Sequence, residues 1–205
     1  MLFAAGCTCS KPLPEVGDAG APATSAPAAS EEAPSTRGSS PLLAPVSFGP
    51  PHVAKPSAAR LDAALRAELG RVDVAGLASV DDLIAAALRE TGKRLHFGMQ
   101  HRTQLRFGAK EREAHCVEYS HLFAAILELL GRRAGLSVKA YVVRSGKARV
   151  LGQKLPFRGF ADHDWVLVVQ PTGTRRWFVD PSLADAGLGW NIESRVSSQQ
   201  GLPTR

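Results

Sequence analysis

Cysteine is scarce in this chain, and where it stands excludes more than its number does. Of three cysteines in 205 residues, Cys7 and Cys9 lie near the start, which leaves Cys116 as the only thiol of the remainder. One thiol builds no disulfide framework, and a zinc site of the Cys-rich kind is excluded with it. Long apolar runs are missing too, so no segment is expected to span a bilayer as a helix. No loop carries acidic residues at the alternate positions that calcium requires, so neither a metal nor a cofactor is expected. His96, His101, His115 and His121 lack a carboxylate at ligand spacing and read as surface or hydrogen-bonded core residues. Aromatic residues make up 6% of the chain and do not alternate with the basic ones. A base-stacking platform for nucleic acid is therefore not indicated, despite a formal net charge of +6 and a pI near 9.6.

What is present is organised around Glu113 to Gly131. Cys116, Tyr119, Ser120, Phe123, Ala124, Leu127 and Leu130 recur at helical spacing and share one face. Leu122, Ile126 and Leu129 flank that stripe, leaving Glu118, His121 and Glu128 to meet solvent on a mostly buried helix. Gly131 is the expected left-handed cap, with Arg132 and Arg133 at the negative end of the dipole. A thiol in the first turn sits at the positive end, which favours the thiolate. Taken alone, such a cysteine is a small core residue more often than a nucleophile. Around it, Lys93, Arg94, Arg102, Arg106, Lys110 and Arg112 form either a positive rim that lowers the thiol pKa and attracts acidic substrates, or a merely solvated face.

A hairpin lies downstream. Asp162 to Gln170 reads as a strand, Pro171 to Thr174 as a turn, and Arg175 to Pro181 as the returning strand. With a loop from Gln170 to Gly173, His163 falls opposite Asp180; with one from Pro171 to Thr174, the two are diagonal neighbours on the same face. Either register lets a carboxylate orient the imidazole, whereas a three- or five-residue loop would separate them. Pro181 suits the end of a strand.

Cys116-Val-Glu-Tyr-Ser-His-Leu-Phe, then His163-Asp-Trp165, then Val179-Asp180-Pro-Ser182, in that order, resemble the transglutaminase-like branch of the papain-like cysteine enzymes over roughly residues 80 to 185. The resemblance implies an α+β fold with a papain-like core. In it the catalytic Cys116 opens a buried helix packed on an antiparallel sheet that carries His163 and Asp180. It implies Cys116 as nucleophile, His163 as general acid/base and Asp180 as the carboxylate that orients the histidine. Many members have glycine two residues before the cysteine, where this chain has Ala114. A glutamine ahead of the cysteine supplies an oxyanion donor in papain-like proteases, and Gln100 or Gln104 is the counterpart here, Gln104 being preferred.

The rest of the chain frames this region. Residues 11 to 57 are dominated by Pro, Ala, Ser and Gly and read as a disordered tether. Met1-Leu-Phe-Ala-Ala-Gly-Cys7 resembles the end of a bacterial lipoprotein signal, although a basic region and most of the apolar run are missing, and that makes Cys7 the candidate lipidation site. The expected organisation is a signal and linker over 1–57, a transglutaminase-like domain over 58–195 and a flexible tail over 196–205. Within the domain, one helix is expected over 58–69, closed by Gly70. A second begins at the Ser79 cap and runs to about Arg89, and a polar loop over 93–112 walls a cleft. Leu136 to Val143 alternates as a strand, and further short strands are expected before Phe160.

The chemistry that follows is attack of a Cys116 thiolate on an amide or ester carbonyl, a thioester intermediate, and proton transfer through His163. Water as acceptor gives a protease or amidase, and a lysine amine gives a crosslink; hydrolysis of protein or peptide substrates is favoured. The expected molecule is a monomer in the cell envelope, lipid-anchored or secreted, that meets the membrane only through its N-terminal anchor. The alternative is a non-catalytic transglutaminase-like module that binds peptides or cell-wall strands and keeps Cys116 as core.

Overall fold

A computed structural model describes residues 46–98, 102–146, 149–150, 153–154 and 162–203. The expectations for Cys7, Cys9, Gln100 and His101 lie outside the described residues. In chain order the elements are β1 (Val46–Ser47), β2 (Pro51–Pro56), β3 (Arg60–Leu61), α1 (Ala63–Gly70), α2 (Val80–Gly92), β4 (Leu95–Phe97), β5 (Arg106–Phe107) and β6 (Arg112–Ala114). There follow α3 (Cys116–Ala134), β7 (Lys139–Gly146), β8 (Arg149–Val150), β9 (Gln153–Lys154), β10 (Asp162–Val169), β11 (Arg176–Val179) and α4 (Pro181–Asp185). The fold is mixed α+β. Its centre is a four-stranded antiparallel sheet in the order β11-β10-β7-β2.

Side-chain caps set the helix starts. Asp62 accepts from the Leu65 N–H at 2.8 Å, so α1 begins after it, and the residues before it pair with β5 instead of extending the helix back to Ala58. Ser79 and Asp82 form a reciprocal capping box on α2, with Asp82 N to Ser79 Oγ at 3.1 Å and Ser79 N to Asp82 Oδ2 at 3.0 Å. This helix continues past Arg89 to Gly92.

The 19-residue α3 differs from expectation at its end. Gly131 does not cap it. The cap is Gly135, at φ 71°, where the Gly135 and Leu136 N–H groups close back onto the Arg132 and Gly131 carbonyls in a Schellman pattern. Gly131 is instead a site of close approach, since a Cβ there would meet Val138 Cγ2 at 3.0 Å and Leu136 O at 3.1 Å.

The helix is also buried further round than its apolar stripe requires. Glu118 and His121, expected at the surface, are 0% and 1% exposed. Each is satisfied by backbone: Glu118 Oε1 accepts from Gln104 N at 2.9 Å, and His121 Nδ1 accepts from Ala58 N at 2.9 Å. Burial, together with the nearby Lys55 charge, holds His121 below its usual range, which suits a neutral acceptor.

Both faces of the sheet are covered. Ala140, Val142, Val166, Val168, Trp177 and Val179 pack with the apolar residues of α1, α2 and α3. Val143, Trp165, Leu167, Val169 and Phe178 form a second cluster with Phe48, Ile192 and Leu202. That second cluster corrects two boundaries. Residues 51–56, assigned to the tether, form the fourth strand of the sheet, an edge position where Pro51 and Pro56 cost no ladder hydrogen bond. The tail from Val196 is likewise not free, because Val196 bridges to Phe48 and Leu202 is 7% exposed.

Candidate active site

The β10–β11 ladder runs from Val169↔Arg176 to Val166↔Val179, which is the second of the two registers considered and makes His163 and Asp180 diagonal neighbours. The ladder stops there, and the Asp180 N–H turns to the Trp190 carbonyl at 2.8 Å. Released from the ladder, Asp180 becomes the N-cap of α4, with Pro181 at the first helical position. Its Oδ1 accepts from Ser182 N at 3.1 Å, Ser182 Oγ at 2.7 Å and Leu183 N at 3.0 Å. That leaves Oδ2 for His163 Nε2, at 2.5 Å. Asp-Pro-Ser is a helix-start signature as much as a strand end, and that second meaning explains why this carboxylate is held so firmly.

His163 lies on β10 opposite Ser145 of β7. Phe48 stacks on its ring at 4.8 Å between centroids and 11° between planes. With Asp180 on Nε2, Nδ1 is the ring nitrogen that remains, and the charge of His163 acts on the Cys116 thiol. Cys116 occupies the first position of α3, where the unpaired N–H groups and the positive end of the dipole lie. A further contact registers this turn on β10: Ser120 Oγ donates to the Asp164 carbonyl at 2.9 Å. The Asp164 carboxylate itself is clamped by Arg144 through Nε at 2.7 Å and Nη2 at 3.0 Å. Tyr119 Oη donates to Asp185 Oδ2 at 2.6 Å and so ties the helix of Cys116 to the helix that Asp180 caps.

The electrostatics of the three groups are coupled. Burial pushes the Cys116 thiol up. The charge of His163, hydrogen bonds from His115 and His163, and the Asp164 N–H outweigh that and bring it down to about 6. Burial by itself would lower His163, but the Asp180 carboxylate and the Cys116 sulfur hold it well above its usual range. Asp180 is raised by burial and brought below the ordinary carboxylate range by His163, Ser182 and the Leu183 N–H. Near neutral pH the arrangement is therefore a thiolate beside an imidazolium, oriented by a buried carboxylate, and such a pair is chemically a nucleophile with its own proton store.

Other expectations fare differently. Gln104 is exposed, its side-chain oxygen accepts from Arg112 Nη1 at 3.2 Å, and its backbone N–H goes to Glu118, so these two bonds tie the loop together. The basic rim disperses: Arg94 is 6% exposed and paired with Glu90 at 2.8 Å and Glu68 at 3.2 Å, Lys93 also meets Glu90, and Arg112 lies over the Phe107 ring. Trp165 is buried with its indole N–H on Ser145 Oγ at 2.9 Å, and Trp177 donates to Asp81 Oδ1 at 3.0 Å. Among the described residues, no cluster of His, Cys, Asp and Glu is placed to hold a metal ion, and no helix is long and apolar enough to cross a membrane. Compared with protein-family models, curated proteins and solved structures, the chain matches none of them.

Proposed function

We propose that this chain is a transglutaminase-like cysteine enzyme with a papain-like core that hydrolyses amide bonds in protein or peptide substrates. The observation that carries this is the buried relay from Cys116 through His163 to Asp180, in which one carboxylate oxygen is fixed by α4 and the other by His163 Nε2 at 2.5 Å. In the proposed cycle the Cys116 sulfur attacks the carbonyl carbon and the C=O π pair moves to oxygen. His163 Nδ1 gives its proton to the departing amine, the C–N bond breaks, and a thioester remains. Water, deprotonated by His163, then attacks the thioester and returns the thiol and a carboxylic acid. Asp180 stays ionised throughout and keeps the ring oriented. The Cys116 N–H, one of the unpaired amides at the start of α3, is suited to receive the oxyanion.

Hydrolysis is preferred to amine transfer because water is the abundant acceptor in the cell envelope, where we place the protein on the strength of the Cys7 context. The test is product release from a panel of peptide amides by the full chain and by Cys116→Ala, with and without a fluorescent primary amine. The proposal expects carboxylic acid product from the wild type alone and little amine incorporation. Turnover retained by Cys116→Ala overturns the catalytic role, and amine incorporation exceeding hydrolysis overturns the choice of acceptor. A peptide bound equally by both proteins but never cleaved would make this a binding module.

A further inference from the structure

A groove of about 660 Å³ opens between the start of α1, the β3–β5 pair and the second half of α3, and four arginines line it: Arg60, Arg66, Arg106 and Arg132. On α3 the wall is made by Ala125, Glu128, Leu129 and Arg132. At about 100° per residue these share the side of the helix opposite Cys116, and Ala125 stands about 13 Å further along the axis. The groove is therefore a second site and no extension of the cleft at the thiol. Of the basic residues expected to ring that thiol, Arg106 is found here instead.

These arginines are held together against their own repulsion. Arg60 and Arg106 are Cα partners in the parallel β3–β5 pair, where neighbouring strands run about 4.8 Å apart. The adjacent pair, Leu61 with Phe107, is buried at 8% and 1% exposure, so the two arginine side chains leave together on the outer face. Like charges directly opposed destabilise a ladder. Among the described residues, the arginines in ion pairs are Arg94, Arg144 and Arg175, so none of the four in the groove is neutralised. Arg66 is anchored by its Nε, which donates to the Leu61 carbonyl at 2.8 Å, and both its terminal nitrogens are left without a bond among the described residues. Two carboxylates share the groove, and backbone engages each: Asp62 Oδ1 accepts from Leu65 N at 2.8 Å and Glu128 Oε1 from Ala140 N at 3.0 Å. Four cations against two carboxylates leave an excess of positive charge with no answering anion.

We propose that this groove is a docking site for an acidic peptide segment of a second protein, bound through its carboxylates. The proposal goes beyond the cysteine chemistry and does not depend on it. Guanidinium forks pair bidentately with carboxylates. Because β3, α1, β5 and α3 contribute one arginine each, the charge is spread along the groove and not focused on one point. That spread suits acidic side chains alternating along an extended strand, about 6.5–7 Å apart on one side of it. Ala59, Ala63, Ala125 and Leu129 supply small apolar ground between the charges for the peptide's methylenes. A flat anionic membrane meets concave arginines poorly, and no aromatic residue lines the groove to stack a base.

The test is fluorescence anisotropy of a fluorescein-labelled Glu-Ala-Glu-Ala-Glu-Ala peptide and its Gln-for-Glu counterpart, titrated with the full chain in a Cys116→Ala background so that turnover does not enter. The expected result is saturable binding of the acidic peptide alone, weakened about fivefold or more by Arg60→Gln/Arg106→Gln. Arg71→Gln/Arg149→Gln removes the same charge from exposed positions outside the groove and should leave binding unchanged. Equal losses in the two double variants, or no saturable binding, would reduce the arginines to a solvated face. Since neither Arg60 nor Arg106 has a partner to lose, their double variant should melt no lower than wild type, and a lower melting temperature would overturn the claim that they are uncompensated. Displacement of the peptide by an equal concentration of inorganic pyrophosphate would make this a phosphate site. Binding of mixed phosphatidylcholine and phosphatidylserine vesicles that is lost in Arg60→Gln/Arg106→Gln would make it a lipid surface. Either result overturns the peptide assignment, and neither touches the reading of Cys116.

Discussion

Asp180→Asn is the perturbation that separates orientation from architecture, because the two oxygens of this carboxylate do different work. Oδ1 serves the α4 cap and Ser182, and an asparagine oxygen can take over all three of its bonds. Oδ2 serves only His163, at 2.5 Å, and an NH2 group there would be a donor facing Nε2. The ring would answer by moving its proton to Nδ1, the wrong tautomer to accept a proton from the thiol. What is lost is a charge-assisted hydrogen bond of about 1.5–3 kcal/mol and ion-pair attraction of ~4 kcal/mol at 4 Å for an effective dielectric near 20. These contributions overlap, so a rise in barrier of ~3–5 kcal/mol is expected, or roughly 10²–10⁴ in kcat/KM.

Stability should fall much less, since His163 can shed its proton rather than remain a stranded charge, which would cost about 3–5 kcal/mol. Asp180→Ala should lose the same activity and, in addition, about 1 kcal/mol of cap energy. The assay is kcat/KM on a peptide amide beside thermal denaturation for both variants. Asp180→Asn within about threefold of wild type in kcat/KM would refute the orienting role, as that corresponds to only ~0.7 kcal/mol.

The pH dependence carries its own signs. Cys116 is lowered to about 6 and His163 is raised, so the thiolate–imidazolium pair fills the window between them. Activity should fall on the acid side through about 6 and on the alkaline side only above the ordinary histidine range of about 6.5; an acid limb centred near 8 would contradict the pairing. Because Asp180 is lowered, its contribution to stability is present above the ordinary carboxylate value and lost as pH falls below about 4. The melting difference between wild type and Asp180→Asn should therefore vanish in acid. Gly131→Ala gains helix propensity of about 1 kcal/mol but drives a methyl into Val138 and the Leu136 carbonyl, so a net loss of ~1 kcal/mol in urea denaturation is expected, and stabilisation would contradict the close approach. For the N-terminus, mass spectrometry of the native protein should find lipid on Cys7, and an unmodified Met1 on the mature chain would refute the anchor.

The legible parts of this structure were those written in local periodicity. The stripe from Cys116 to Leu130 marked α3, and the strand–turn–strand pattern placed His163 and Asp180 on one face, because both registers considered share the same parity. The sequence could not choose between those registers, since the turn from Gln170 to Arg175 holds neither Asn-Gly nor Asp-Gly to fix it. Long-range burial was not legible. Glu118 and His121 read as solvent-facing because they are polar, and only the loop from Thr103 and the connection between β2 and β3 at Ala58, arriving from elsewhere in the chain, supply the partners that let them be buried. The edge strand β2 was invisible for a related reason. None of its six residues is buried, so it carries no apolar alternation and resembles the Pro/Ala-rich stretch before it. Phe48, which covers His163, stood in that same stretch as a lone aromatic. His115 read only as a surface or hydrogen-bonded core residue, yet His-x-x-Glu is a capping box in which histidine takes the usual serine position, and that pattern was the available signal for Glu118.

The most direct measurement of the central claim is an acylation burst with an activated ester, p-nitrophenyl acetate, followed by intact-mass and peptide analysis. The account predicts release of one nitrophenol per chain in a fast phase, a single acetyl group on Cys116 that hydroxylamine removes, and loss of that phase in His163→Ala at pH 6.5. Acetylation spread over lysines with no burst, or a burst that survives His163→Ala unchanged, would contradict it.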